Sequence, residues 1–175
     1  MRSGSCAVRE GLEDILAEHL AVIFCGINPG MTAAAQGHHF AGRNNRFWRT
    51  LHLAGFTPEE VRPENDRTIL NYHCGLTAVV DRPTARADQL SLHEFTAAAA
   101  SFEQKIARYA PRYVAFLGKS AYSALSGQRT IAWGLQAHTF GNAQVWVLPN
   151  PSGRNLAFTL DQLVAAYRQL WSAVN

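Results

Sequence analysis

The residue with the clearest chemical potential stands in a short loop that two glycines and a proline make rigid. The segment Gly26-Ile27-Asn28-Pro29-Gly30 directly follows an apolar run. The glycines permit close backbone approaches, while Pro29 fixes its own φ and pushes Asn28 towards an extended conformation. The loop therefore holds a neutral amide in a fixed setting. Because Asn-Pro-Gly is also ordinary turn chemistry, the pentapeptide alone favours a structural turn.

A second loop, near the C-terminus, carries one long cation between prolines. Its sequence is Pro149-Asn150-Pro151-Ser152-Gly153-Arg154-Asn155. A structural turn is again the default interpretation. A stiff loop with Arg154 at its tip can also probe a nucleic-acid stack or contact phosphates.

Two further motifs carry weaker signals. Leu117-Gly118-Lys119-Ser120 looks like the end of a phosphate-binding P-loop. That motif also requires a glycine at position 113, where this chain has Tyr113, so a P-loop is rejected. Lys119 and the amides of a helix start are still able to hold a backbone phosphate. The adjacent His38 and His39 have no third ligand nearby in the sequence, so no metal site is predicted. Phe40 follows them in a glycine-rich loop, where its ring could stack on a base.

The elements that must position these loops alternate between strands and helices. The predicted strands are apolar runs at Leu20–Cys25, Gly75–Val80, Tyr113–Leu117 and Val145–Leu148. The predicted helices are Gly11–His19, Arg46–Ala54, Leu92–Tyr109 and Thr159–Val174. Strands buried on both faces and separated by helices predict a mainly parallel sheet of about four strands in a three-layer α/β/α sandwich. Sites in such sheets gather at the carboxyl ends of the strands, which here means the loops after Cys25, Val80, Leu117 and Leu148.

Composition limits the class of protein. The chain has 175 residues, of which 47% are hydrophobic and 17% charged, so it is long enough for one globular domain and too apolar for a disordered chain. No apolar run approaches the ~18 residues of a membrane helix, and residues 1–10 read as a flexible polar tail and not as an export signal. The three cysteines are sparse and match neither a zinc site nor a disulfide framework, which suits a reducing cytoplasm. A net charge of +3 is compatible with a polyanionic partner.

Taken together, the motifs resemble the mismatch-specific uracil-DNA glycosylase and thymine-DNA glycosylase family. The resemblance rests on the segments at 26–30, 37–40, 45–48 and 150–153 in one order, with smaller matches at 74–77 and 80–84. It runs from about Glu13 to the last helix, and the length is close to that of the bacterial mismatch-specific enzyme. It implies the uracil-DNA glycosylase fold and hydrolysis of the N-glycosidic bond of uracil, and variably of thymine or 3,N4-ethenocytosine, opposite guanine in double-stranded DNA. It also implies that no metal or nucleotide cofactor is needed, and we expect a monomer in the cytoplasm.

The resemblance assigns roles to individual residues. Such an enzyme must flip its target out of the duplex, at a cost of roughly a few kcal/mol, and a mispaired base costs less to extrude. Asn28 would hold the water that attacks the sugar; stronger uracil glycosylases carry aspartate there, and an amide cannot accept the proton of that water. Arg154 would enter the vacated stack. The resemblance places in the base pocket Gly26, Ile27, Gly30, Ala33, His39, Phe40, Asn45 and Thr77, and in the DNA-binding and wedge set Lys119, Asn150, Pro151, Ser152, Gly153 and Arg154.

Substrate range and turnover stay open at this point. The wedge residue Arg154, the small Ala33 and the pair His38-His39 look like thymine-DNA glycosylase, whereas the segment 150–153 looks bacterial. Asn45 matches an asparagine that contacts cytosine 5-substituents, which makes carboxylcytosine a further candidate substrate. A binding protein for mismatched or damaged DNA with negligible turnover is the main alternative, because Asn28 replaces aspartate. A nucleotide-binding enzyme unrelated to DNA ranks last, since the chain lacks a phosphate-loop fingerprint.

Overall fold

The computed structural model describes residues 12–175, and these form one five-stranded sheet with helices on both faces. The predicted tail, residues 1–10, and Cys6 lie outside the described residues. The strands are β1 Val22–Gly26, β2 Cys74–Ala78, β3 Tyr113–Leu117, β4 Gly134–Phe140 and β5 Ala143–Leu148. The helices are α1 Met31–Gln36, α2 Phe47–Ala54, α3 Leu92–Tyr109, α4 Lys119–Ser126 and α5 Leu160–Val174, with 3-10 helices at Pro63–Tyr72 and Ala87–Gln89.

The four parallel strands are buried on both faces, which confirms the predicted α/β/α sandwich. Successive residues of a strand point to opposite faces. In β1, Phe24 packs with Phe47 of α2 and Tyr167 of α5, whereas Ile23 belongs to the cluster that contains Phe102 of α3. Burial of a side chain such as Phe24 stabilises the fold by ~1.5–3 kcal/mol relative to its exposure. The sheet is therefore the middle layer between α2 with α5 and α3 with α4.

Parallel pairing brings the strand ends to one edge of the sheet. The order is β2-β1-β3-β5-β4, and only β4 runs antiparallel to its neighbour. Gly26 lies opposite Ala78, and Leu117 lies opposite Leu148. The loops that follow these four residues consequently start side by side, as the sequence predicts.

The predicted helix Gly11–His19 is wrong in its described part. Residues 12–19 contain no helix, and Ile15 instead exchanges two backbone hydrogen bonds with Leu76 of β2, at 2.9 and 2.8 Å. This antiparallel bridge covers part of the outer edge of β2, and the Ile15 side chain is buried. Pairing with an exposed strand edge outweighs local helical periodicity here.

The fifth strand, β4, was not predicted. Its residues are half-buried or exposed at the edge of the sheet, so the strand lacks the apolar run that marks β1 and β3. It joins β5 through Gly141 and Asn142, which both have positive φ, at 54° and 68°. A Gly-Asn pair between two strands is a hairpin signal and is the feature that could have revealed β4.

Within residues 12–175, no helix is long and apolar enough to cross a membrane.

Candidate active site

A cleft of about 590 Å³ opens at the carboxyl edge of the sheet. Its walls come from the loops after β1, β2 and β5, together with Leu117 at the end of β3. Helix α1 and the segment that leads into α2 complete it. The topology alone brings these segments together, because four neighbouring strands end at this edge.

Most of the residues predicted for the site line this cleft. They are Gly26, Ile27, Asn28, Gly30, Ala33, His39, Phe40, Asn45, Thr77, Asn150, Ser152, Gly153 and Arg154. Pro151 and Lys119 do not line it. Pro151 accepts a hydrogen bond from the backbone of Arg46. The ammonium group of Lys119, at the start of α4, lies 4.4 Å from the ring centre of Trp133 in a cation–π contact.

The Asn28 amide is held in one orientation. Its Nδ2 donates to the carbonyl oxygen of Arg82 at 2.7 Å and to Oγ1 of Thr84 at 2.9 Å. The Thr84 hydroxyl already donates to the carbonyl of Arg86 at 2.7 Å, so it can only accept from Asn28. Both partners therefore require a donor, which assigns the nitrogen and the oxygen of the amide. Among the described residues, Oδ1 has no hydrogen-bond partner and is the atom available to a ligand in the cleft.

The loop that supports Asn28 is itself anchored by an ion pair. Arg82 donates through Nε to Oε1 of Glu94 at 2.7 Å and through Nη2 to Oε2 at 3.1 Å. These hydrogen bonds lower the pKa of Glu94 to about 2, with a further contribution from the backbone of Ser91. Such a bidentate pair fixes geometry even on an exposed surface, where it adds little stability.

Three neighbours hold His39 in place. Its backbone N–H donates to the buried carboxylate of Asp66 at 2.9 Å, and its carbonyl accepts from Nε1 of Trp48 at 3.0 Å. Its Nε2 lies 2.7 Å from the carbonyl oxygen of Glu13, which can only accept, so Nε2 carries a proton. Burial lowers the pKa of His39, against the opposing effect of nearby Asp66. The ring is therefore neutral near pH 7, with Nδ1 as its unprotonated nitrogen.

Phe40 follows in a strained conformation. Its φ is 55°, in the left-handed region that non-glycine residues seldom occupy. One face of the ring stacks on Phe47, with centroids 4.0 Å apart. Strain of this kind is retained only where the surroundings enforce it, and such positions concentrate at ligand sites. The anchors on His39 and the contact with Phe47 enforce it here.

Thr77 and Asn45 are also engaged within the protein. The Thr77 hydroxyl donates to Oδ1 of Asp14 at 2.8 Å, and Lys105 pairs with Oδ2 of the same carboxylate at 2.7 Å. The Oδ1 of Asn45 accepts from the backbone N–H of Phe47 at 2.9 Å, at the start of α2. The Nδ2 of Asn45 has no partner among residues 12–175.

The loop between β5 and α5 is folded on itself. Asn150 accepts from the backbone N–H of Ser152 at 2.9 Å, and Asn155 donates to the carbonyl of Asn150 at 2.9 Å. Its tip exposes Arg154 and Leu156, and 91% of Leu156 is accessible to solvent. Because it carries Arg154, the wedge residue predicted from the resemblance, residues 149–159 are called the wedge loop below.

The charge of the cleft is one-sided. Its described lining contains Arg43, Arg86 and Arg154 and no carboxylate. An arginine-lined cleft suits a phosphate backbone. The described lining therefore offers no carboxylate that could act as a general base to a water beside Asn28. No group of three His, Cys, Asp or Glu side chains is arranged to hold a metal ion in the described part of the chain.

Three residues that support the site were not singled out from the sequence. Thr84 orients Asn28, Asp66 anchors the backbone of His39, and Arg46 binds the wedge loop. Their partners lie 56, 27 and 106 residues away in the chain, so no local pattern could identify these contacts.

Comparison with known proteins agrees with this geometry. A protein from Methanosarcina acetivorans, described as a candidate uracil DNA glycosylase and solved by solution NMR, has the same fold with a TM-score of 0.63. The two sequences are 20% identical, and the match covers 93% of this chain and 98% of the other. The sequence model of the uracil DNA glycosylase superfamily matches residues 13–173. On this near-complete match, the chain belongs to the uracil DNA glycosylase superfamily.

Proposed function

We propose that this DNA glycosylase is a mismatch-specific, monofunctional enzyme that removes uracil paired with guanine in double-stranded DNA. We extend the proposal to 3,N4-ethenocytosine and, at a slower rate, to thymine. The proposal joins the membership of the superfamily, which supports a DNA glycosylase, to the motif resemblance described above. The product is an abasic site, and the enzyme acts as a monomer in the cytoplasm.

The observation that carries the proposal is the fixed amide of Asn28. Its free Oδ1 can accept one O–H of a water and leave a lone pair of that water for C1′ of the flipped nucleotide. As the C1′–O bond forms, the glycosidic bond breaks and its electron pair leaves with the base nitrogen. The attacking water loses a proton to solvent, and the departing base anion is protonated in turn, so the reaction is a net hydrolysis.

Leaving-group stabilisation has to supply much of the catalysis, because the amide cannot accept that proton. Backbone groups around Ile27 and the strained Phe40 line the cleft and are the donors we assign to the base anion. Phe40 would stack on the flipped base with the face that Phe47 leaves uncovered.

Water is the nucleophile in this scheme, because no lysine is available for a Schiff base. Lys105 and Lys119 are the only lysines in the chain. Lys105 is paired with Asp14, Lys119 lies against Trp133, and neither lines the cleft. The proposal therefore excludes a lyase step.

The test is base excision under single-turnover conditions, with enzyme in excess over a duplex that contains one G·U pair and alkali to reveal abasic sites. We expect Asn28→Ala to lose on the order of 10²–10³-fold in rate while DNA affinity stays nearly unchanged. Asn71→Ala, an exposed asparagine outside the cleft, is the matched control. A near-wild-type rate in Asn28→Ala would end the water-positioning role.

The same assay separates the enzyme from the alternative of a binding protein. Absence of abasic product from the wild type at enzyme excess, with retained affinity for G·U duplex, would favour a mismatch-binding protein. A panel of duplexes, each with one lesion opposite G or A, then ranks uracil, thymine and ethenocytosine.

A further inference from the structure

The wedge loop contains no helix or strand between β5 and the N-cap of α5. One side chain, that of Arg46, nevertheless binds several of its backbone carbonyl groups. The guanidinium of Arg46 donates through Nη1 to the carbonyl of Phe158 at 2.7 Å. Through Nη2 it donates to the carbonyls of Ser152 and Asn155, both at 2.9 Å. Its Nε lies 3.4 Å from the carbonyl of Pro151. A planar guanidinium with five donors is suited to hold several acceptors at once, which an ammonium group cannot do with fixed geometry.

Arg46 also directly follows a residue of the cleft wall, although Arg46 itself does not line the cleft. Its backbone N–H donates to Pro151 at 2.9 Å. It stands between Asn45, which lines the cleft, and Phe47, which stacks on Phe40. The wedge loop and the ring assigned to the flipped base are therefore linked through one residue.

The two segments touch closely beside this link. A Cβ on Gly153 would lie 2.6 Å from the Cβ of Asn44 and 2.7 Å from its carbonyl oxygen. The wedge loop thus rests directly on the segment that precedes Arg46. On its outer side it exposes Arg154 and a leucine, Leu156, that is 91% accessible. A fixed loop that displays such side chains can enter a base stack without first losing conformational entropy.

We propose that Arg46 is a positioning residue that holds the wedge loop in its DNA-entering shape and in register with the base pocket. The inference rests on the proposed function. Arg46 acts through the wedge loop and not on the base, so its role concerns the opening of the duplex. Base removal from DNA that is already single-stranded needs no wedge and is expected to depend on Arg46 far less.

The experiment compares Arg46→Lys with the wild type on two substrates, a G·U duplex and a single-stranded uracil oligonucleotide. Lysine keeps the charge but cannot bind the four carbonyls in one plane. We expect a loss of roughly 10–100-fold on the duplex, the size of effect that misplacement of a positioned group produces, and a loss within about threefold on the single strand. Arg154→Ala, which removes the wedge side chain itself, is expected to show the same duplex-selective pattern.

The matched control is Arg168→Lys. Arg168 also donates to a backbone carbonyl of another element, that of Leu53 at 2.9 Å, but it does not line the cleft. It should leave both rates and their ratio unchanged. Equal losses on the two substrates in Arg46→Lys, or no loss on the duplex, would overturn the inference. If the wild type acts on the duplex alone, a duplex that carries the uracil in an unpaired bulge replaces the single strand as the substrate that needs no wedge, and the same outcomes apply. A wild type that excises uracil from none of these substrates would instead overturn the proposed function, and the inference with it.

A second measurement covers the case in which Arg46→Lys is unstable. Arg46→Ala is assayed with and without added methylguanidinium, at concentrations well below those that denature the protein, with methylammonium as the charge-matched comparison. Restoration of duplex excision by the guanidinium alone supports the positioning role. Equal effects of both cations, or restoration of the single-stranded activity to the same degree, contradict it.

Discussion

Replacement of Asn28 by aspartate would turn its Nδ2, a donor that faces a carbonyl oxygen, into a second carboxylate oxygen. The Nδ2 of Asn28 donates to the carbonyl of Arg82 at 2.7 Å, and a carboxylate oxygen in its place would oppose that carbonyl without a proton between them. The second partner, Thr84, is committed as a donor to Arg86 and would have to give up that bond. Substitution by aspartate in this setting therefore disturbs the support of the residue.

We predict that Asn28→Asp excises uracil from G·U more slowly than the wild type at pH 8, by about fivefold or more. An acceptor left without a donor costs ~1–3 kcal/mol when it is removed from water, and a protonated carboxyl group would relieve that conflict. Single-turnover rates at pH 6 and pH 8 measure this, and the deficit should shrink at the lower pH. A faster rate than the wild type at pH 8 would show that the carboxylate works as a general base here.

We expect the small side chain of Ala33 to leave room in the cleft for the 5-methyl group of thymine. It is buried in α1, 5% exposed, and lines the cleft after the Asn28 loop. We predict that Ala33→Ser lowers thymine excision from G·T about tenfold relative to uracil excision from G·U, because discrimination of one methyl group is worth ~1–3 kcal/mol. The ratio of the two single-turnover rates is the measurement, and Ala35→Ser, exposed on the same helix, is the control. An unchanged ratio would assign methyl tolerance to loop geometry.

Among the elements, the wedge loop depends on a contact that only glycine allows. No side chain fits at Gly153, because a Cβ there would lie 2.6 Å from the Cβ of Asn44. We predict that Gly153→Ala pushes the wedge loop away from the base pocket and lowers excision from a G·U duplex on the order of tenfold or more. Circular dichroism and single-turnover rates on duplex and single-stranded uracil provide the measurement.

The control for Gly153→Ala is Gly127→Ala. That substitution strains a turn with φ of 71° after α4, outside the cleft, and meets no neighbouring atom. It should lower stability and leave the excision rate of the folded protein unchanged. The prediction fails if Gly153→Ala keeps the wild-type rate on the duplex.

Elements with a strong periodic pattern were predictable from the sequence. The strand Tyr113–Leu117 and the helix Leu92–Tyr109 have the predicted bounds. The first is an apolar run buried along its whole length, and Ser91 and Glu94 form a capping box at the start of the second. The sequence pattern does not predict strand β4, because a strand at the edge of the sheet needs no apolar run. The helix predicted at residues 12–19 is wrong because these residues pair with β2, which is distant in the chain.

The candidate site was predictable to the level of which loops meet, but its hydrogen bonds were not. The carboxyl-end rule brings the loops of Asn28 and Arg154 to one cleft. The bond from Arg46 to Phe158 spans 112 residues and depends on the angle at which α2 meets the wedge loop. Sequence patterns show the hydrophobic period within one element. The angle between α2 and the wedge loop is set only when the elements pack against each other in the core.

For the whole molecule, two titrating groups influence stability in separate pH ranges. The pKa of Glu94 is about 2, below its ordinary value, because Arg82 and the backbone of Ser91 bind the charged form. Its contribution is present above the unfolded value near 4.5 and is lost as the pH falls towards 2. The Glu94 side chain is partly accessible to solvent and its partner Arg82 is exposed, so this contribution is small.

His39 also lowers the stability of the protein as the pH falls, but it does so at a higher pH than Glu94. Burial lowers its pKa below the ordinary value of 6.5, and Asp66 and Asp14 only partly oppose that effect. As the pH falls through 6.5, the unfolded chain binds a proton that the folded protein still excludes, so unfolding becomes more favourable. The free energy of unfolding therefore falls progressively from pH 6.5 down to the folded pKa of His39. Below that pKa, His39 causes no further loss.

We therefore predict that the wild type is less stable at pH 5.0 than at pH 7.5, and that His39→Gln reduces this difference. Both pH values lie above the unfolded pKa of Glu94 near 4.5, so that carboxyl group contributes little to the difference. Glutamine keeps an N–H that can donate to the carbonyl of Glu13 but has no proton to gain. Urea unfolding at the two pH values gives the free energies, and His138→Gln, an exposed histidine on β4, is the control. If the pH dependence of His39→Gln equals that of the wild type, another group excludes the proton and His39 is not the source.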